Sequence, residues 1–178
     1  RGGTPVGSAL PGVGASLDFG FLTSAGTYTV TATDPGTGCS NNMTGSAVVT
    51  VNARPSVYTV DGGGSYCNGG SGVVVGINNS QSGIDYQLYN GASPVGAPIA
   101  GTGTWFSFGL QTGAGSYSAV ATNAVTGCTS NMTSGAAVTI NSLPVIYNVT
   151  GGGSYCAGGT GVAVGLDNAD NGVEYQLY

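Results

Sequence analysis

The chain has 178 residues, with two Arg, no Lys, no His and seven acidic residues, for a net charge of −5. Without His there is no Ser-His-Asp or Cys-His catalysis and no imidazole zinc site, and without Lys there is no P-loop or Schiff-base chemistry. Two Arg cannot neutralise a run of phosphates, and a negative surface is repelled by anionic membranes, so nucleic acid, membrane insertion, cofactors and enzymatic activity are not expected.

Low charge, ten Tyr and abundant Val and Thr argue for pleated, half-buried strands rather than disorder. The strands recur along the chain. PSVYTVDGGGSYCNGGSGVVVG starts at Pro55 and PVIYNVTGGGSYCAGGTGVAVG at Pro144, an offset of 89 residues. The same offset takes Tyr28 to Tyr117, Cys39 to Cys128, Cys67 to Cys156 and Tyr86-Gln87-Leu88-Tyr89 to Tyr175-Gln176-Leu177-Tyr178. Residues 1–89 align on 90–178 without a gap. Such a period suits an immunoglobulin-like sandwich and is too long for ankyrin, TPR or WD40 units.

In chain order, residues 1–54 read as the last four strands of one repeat. The complete repeat spans 55–143, with strands expected at Ser56–Val60, Gly72–Ile77, Asp85–Tyr89, Val95–Ile99, Thr104–Phe108, Gly115–Thr122 and Ala136–Asn141. Tyr117 and Ala119 fall on one face of the sixth strand, Ser116 and Ser118 on the other. Residues 144–178 hold the first three strands of a following repeat. The boundaries fall at Asn52-Ala53-Arg54-Pro55 and Asn141-Ser142-Leu143-Pro144, where Pro interrupts ladder pairing. The fold class expected is all-β: tandem immunoglobulin-like sandwiches of about seven strands each. Neither partial repeat can close a sandwich alone, but 144–178 and 1–54 together make one full repeat. The chain is expected to be a window on a longer array, the alternative being a subunit that completes its neighbour's sandwich. Both readings give a head-to-tail filament whose partners are flanking repeats or copies of the chain itself.

Each period carries two cysteines, without CxxC spacing or a basic neighbourhood, so structural disulfides and an oxidising, extracellular compartment are expected. The favoured pairing is Cys67 with Cys128 inside the repeat, worth about 4 kcal/mol by loop entropy. It requires Asp61–Gly70 to fold back, since the two positions otherwise lie at opposite ends of a sandwich. Bridges between adjacent domains are the alternative. Cys39 and Cys156 are expected to bond to neighbouring segments or copies.

Other motifs have bland readings. Gly62-Gly63-Gly64-Ser65 and Gly151–Ser154 read as turns with positive φ, not phosphate loops, since no helix or Lys follows. Asp167, Asn168, Asp170, Asn171 and Glu174 carry Ca²⁺-type oxygens, but the other period has only one carboxylate at the matching positions, Asp85, so no metal site is expected. Asn42, Asn78, Asn131 and Asn148 begin glycosylation-type triplets. Tyr86, Tyr89, Trp105 and Phe106 are read as packing residues rather than a carbohydrate platform.

The assembled pattern is YCxGGxGVxVG, YQLY, AGxYxxxATxxxTGC, NMT, and VTxN before Pro. It rests on Tyr66-Cys67, Tyr86–Tyr89, Ala114–Cys128 and Asn131–Asn141. It resembles the immunoglobulin-like repeats of giant secreted surface proteins of Bacteroidota, including gliding-motility adhesin arrays. The resemblance implies a cell-surface adhesin, stalk or extracellular fibre, and names no ligand. The functional expectation is a structural filament or stalk component, with an adhesin or carbohydrate-binding module as the alternative.

Overall fold

The computed structural model describes residues 2–178, and among them all regular structure is β. The chain divides into two compact units, residues 2–54 with 125–128, and residues 55–124 with 129–178.

In the first unit, β1 (Gly26–Tyr28) pairs antiparallel with β4 (Ala47–Val49), and β2 (Thr31–Thr33) with β3 (Ser40–Asn42). The β2–β3 turn is organised by Asp34, whose carboxylate accepts from the Gly36 N–H at 2.8 Å and the Thr37 hydroxyl at 2.9 Å. This is the local side-chain mimic of a backbone turn that favours Asp there.

The second unit holds residues 55–143 apart from 125–128, together with 144–178. The strands of 55–143 are β5 (Val60–Gly62), β6 (Gly64–Cys67), β7 (Val73–Ile77), β8 (Asp85–Asn90), β9 (Ser93–Ala100), β10 (Phe106–Gln111), β11 (Gly115–Thr122), β12 (Thr129–Asn131) and β13 (Ala136–Asn141). They form a three-stranded sheet in the order β10-β7-β5 and a six-stranded sheet in the order β6-β13-β11-β8-β9, with β12 on β11. The core takes Val60, Val75, Ile77 and Phe106 from the first sheet, and Tyr86, Leu88, Tyr117, Ala119, Ala121, Ala136 and Val138 from the second. This is the two-layer burial expected of a β-sandwich. Along β11 the alternation is as the sequence suggests, with Tyr117, Ala119 and Ala121 buried and Ser116 and Ser118 exposed.

The sequence-based strands differ in detail. The segment read as Ser56–Val60 enters its ladder only at Val60. Before that it is held by Thr133, which accepts from the Val60 N–H and donates its own N–H to Tyr58. Trp105 stays outside β10, which begins at Phe106 and runs on to Gln111. Two strands were not foreseen, β6 and β12.

β6 corrects the reading of Gly62–Gly64 as a turn. The three glycines have φ of 86°, 79° and 129°, but the chain does not reverse. It leaves the three-stranded sheet after Gly62 and joins the other at Gly64, running parallel to β13. A strand that changes sheets needs a sharp local bend, which positive-φ glycines supply.

Residues 144–178 carry β14 (Val149–Gly151) and β15 (Val164–Leu166). Their register, Val149↔Leu166 to Gly151↔Val164, repeats that of β5 and β7 at an offset of 89. β1–β4 likewise repeats β11–β13, and β2–β3 repeats β11–β12.

Candidate functional site

The residues with chemical potential fall into three groups: buried aromatics, side-chain clamps and cysteines. Tyr86 is fully buried, its ring edge-on to Phe106 at 5.5 Å, and its hydroxyl accepts from the Gln81 N–H at 2.8 Å. Burial pushes its phenol pKa above the ordinary value. Phe106 is also buried and Tyr89 half-buried, so these aromatics pack inside. Trp105 departs from that expectation. It is half exposed and points its indole N–H at the Asp61 carboxylate, 3.4 Å away.

The acidic cluster of 167–174 is used to hold strands. Asp167 accepts from the Asn148 N–H at 2.9 Å and its side-chain amide at 2.7 Å. Asp170 accepts from the Val145 N–H at 3.1 Å and the Tyr147 hydroxyl at 2.7 Å, which raises the pKa of that phenol. The complete repeat makes the matching bonds with amides: the Thr59 N–H donates to Asn78 at 2.9 Å and the Ser56 N–H to Gln81 at 2.5 Å. Each clamp fastens the first strand to the loop after the second. The offset of 89 matches Asn78 to Asp167 and Gln81 to Asp170, a signal legible in the sequence but uninterpretable until the bonded backbone groups were known. Among the described residues no group of three or more His, Cys, Asp or Glu is gathered for a metal.

The Asp167 clamp makes a pH prediction. Its hydrogen bonds from Asn148 hold the carboxyl below its ordinary pKa. A carboxylate more acidic folded than unfolded adds stability above about pH 4, and loses it as pH falls through the folded value. The Asn148 amide resonance should therefore titrate with a midpoint below that of a free carboxylate. Asp167→Asn should abolish the titration, and a midpoint at or above pH 4 would contradict the clamp.

Two tyrosines at matching positions make the same corner. Tyr117 donates its hydroxyl to the Gly113 carbonyl at 2.8 Å, and Tyr28 to the Ser24 carbonyl at 2.7 Å. The sequence places Tyr117 on one face of its strand and Tyr28 at the matching repeat position, but nothing local in it marks the hydroxyl bond.

All four cysteines are thiols, with Cys39, Cys67 and Cys156 exposed and Cys128 half-buried. Cys67 ends β6 opposite Asn141, the last residue of β13. Cys128 immediately precedes Thr129, which pairs with Thr122 at the far end of β11. Since Gly115 pairs with Val138, the level of Asn141 lies beyond the start of β11. The two cysteine levels are thus about ten residues apart along that strand, roughly 30 Å. Asp61–Gly70 does not fold back; β6 carries Cys67 away from the β11–β12 hairpin. The intradomain bridge expected from the sequence is not a contact of this fold. Of the glycosylation-type asparagines, Asn78 and Asn148 are occupied in clamps and Asn42 accepts from Thr31, while Asn131 is exposed.

The most extended feature is apolar. Residues buried in the complete repeat have exposed counterparts in the partial ones. Leu88 is 1% exposed and Leu177 67%; Val60 is 2% and Val149 71%; Met132 is 7% and Met43 45%. Comparison with family models, curated proteins and solved structures returns no match.

Proposed function

We propose that this chain belongs to a structural component of an extracellular filament or cell-surface stalk, built head to tail from immunoglobulin-like repeats of 89 residues, and that it has no catalytic role. One observation carries the reading: the apolar faces left exposed in 2–54 and 144–178 are the faces that 55–143 buries inside its sandwich. An apolar face of that extent is a binding surface. The occupant that fits is the remainder of the same repeat, because core positions such as Val60, Leu88 and Met132 are the ones whose counterparts Val149, Leu177 and Met43 are exposed. The strands that 2–54 lacks have counterparts in 144–178, and the reverse holds.

The immunoglobulin-like assignment is supported by three features of the complete repeat. A first strand divides between the two sheets, its second half runs parallel to the last strand, and a tyrosine corner opens the penultimate long strand. End-to-end completion of successive repeats generates an open, one-dimensional assembly rather than a closed ring. Few charges, no cofactor chemistry and stapling side-chain clamps suit a load-bearing role. Electron microscopy of the purified protein should show thin filaments with an axial repeat on the order of 40 Å, one strand length plus end loops. A preparation of isolated globular monomers at assembly concentrations overturns the proposal.

A further inference from the structure

Cys67 and Cys128 lie against the two linkers that bound residues 55–143. Cys67 is the register partner of Asn141, and the neighbouring Asn68 donates its N–H to the Asn141 carbonyl at 2.8 Å. Asn141 opens the outgoing linker. Cys128 Sγ lies 3.8 Å from the carbonyl oxygen of Asn52, which opens the incoming linker. Asn52 and Asn141 are the same position of the repeat, 89 residues apart. A cysteine of the Cys128 type in the following repeat therefore stands to Asn141 as Cys128 stands to Asn52. The carbonyl oxygen that the Cys67 turn approaches from one repeat is the oxygen that the other cysteine approaches from the next. Both contacts are to that oxygen, so the turn that carries Cys67 and the cysteine of the next repeat are brought to the same linker residue.

We propose that a disulfide crosses each linker, joining the cysteine at the Cys67 position of one repeat to the cysteine at the Cys128 position of the repeat that follows. This rests on the head-to-tail reading of the array. Pairing inside one repeat fails on distance, since roughly 30 Å along the sheet exceeds the ~4.4–6.8 Å between Cα atoms that a disulfide spans. Where copies of the chain follow one another in unbroken phase, Cys67 pairs with Cys39 of the following copy, and Cys156 with Cys128 of the following copy. No cysteine then has its partner within its own chain, and the solvent exposure of Cys39, Cys67 and Cys156 leaves them accessible for pairing. Each bond forms by thiol–disulfide exchange. Two thiols give up two protons and two electrons, and the disulfide of an oxidised oxidoreductase, or of oxidised glutathione, takes them and leaves as two thiols. The bridges make the array covalent twice at every junction, once through the linker backbone and once through sulfur.

The test is disulfide mapping of the full chain, assembled in a glutathione redox buffer, alkylated and digested with chymotrypsin without reduction. The Cys67 and Cys156 peptides begin Cys-Asn-Gly-Gly and Cys-Ala-Gly-Gly, and the Cys39 and Cys128 peptides also differ in sequence, so mass identifies every pair. The expected result is Cys67 joined to Cys39 and Cys156 to Cys128, with a non-reducing ladder in multiples of 17.2 kDa that collapses on reduction. Cys67 joined to Cys128, or thiols still alkylatable after oxidation, overturns the proposal. Cys39→Ser should release Cys67 for alkylation and leave Cys128–Cys156 intact; release of Cys156 instead overturns it. Electron microscopy of the same sample separates the two readings. Filaments without Cys67–Cys39 links sink the linker bridge alone, and the links without filaments sink the filament alone.

Discussion

Tyr86→Ala should unfold the complete repeat more readily than any other single side-chain truncation, by about 3–5 kcal/mol. Three losses coincide. The ring is fully buried, so its removal leaves a cavity between the sheets. The edge contact with Phe106 at 5.5 Å disappears. The Gln81 N–H, in a half-buried loop, loses the hydroxyl that accepts it at 2.8 Å, and a donor left without a partner away from water costs about 1–3 kcal/mol by itself. Tyr86→Phe isolates that last part, with an expected loss of about 1–3 kcal/mol. Trp105 is the sole tryptophan and directly precedes β10, so its fluorescence reports on this repeat alone. Urea midpoints read from it should order as wild type, Tyr86→Phe, Tyr86→Ala. Tyr175→Ala is the control. It removes the matching residue from a partial repeat, where the ring is 43% exposed, and should leave the Trp105 transition within about 0.5 kcal/mol of wild type. Equal effects of Tyr86→Ala and Tyr175→Ala would refute the burial argument.

Gly62→Ala is the second large effect, expected at about 2–4 kcal/mol. Gly62 has φ of 86°, where an L side chain costs about 1–2 kcal/mol. A methyl group there would also overlap the carbonyl oxygen of Val74, so β7 must shift away from β5 at the point where the strand changes sheets. Gly69→Ala separates the two contributions. Its φ is 83° with open space around the added carbon, so it should show only the backbone cost of about 1–2 kcal/mol. A Gly62→Ala midpoint no lower than that of Gly69→Ala would mean that the sheet switch is not tightly packed.

Much of the architecture was legible because it depends on local pattern. The strand at Gly115–Thr122 shows itself through alternation of Tyr117, Ala119 and Ala121 with serines, and its observed limits are the expected ones. The clamps were not legible as such. Asp167 and Asp170 read as a weak calcium motif because a carboxylate in a loop looks the same whether it binds a metal or a backbone N–H twenty residues away. The Gly62–Gly64 run showed that positive φ was needed, but a reversal and a sheet switch demand the same residues.

By itself the sequence determined the 89-residue offset at which segments recur, the all-β class and the residue types available for chemistry. These follow from composition and short-range spacing. Tertiary structure decided which of those residues form ladders. Tyr86-Gln87-Leu88-Tyr89 is strand β8, while the identical Tyr175-Gln176-Leu177-Tyr178 forms no strand. The physical reason is pairing: β8 lies between β9 and β11, and residues 144–178 contain no counterpart of either. A strand has no hydrogen bonds of its own to make, so its conformation belongs to its neighbours. The same holds for the cysteines. Spacing established that there are two per repeat, but only the parallel register of β6 with β13 set Cys67 at one end of the sandwich, a strand's length from Cys128.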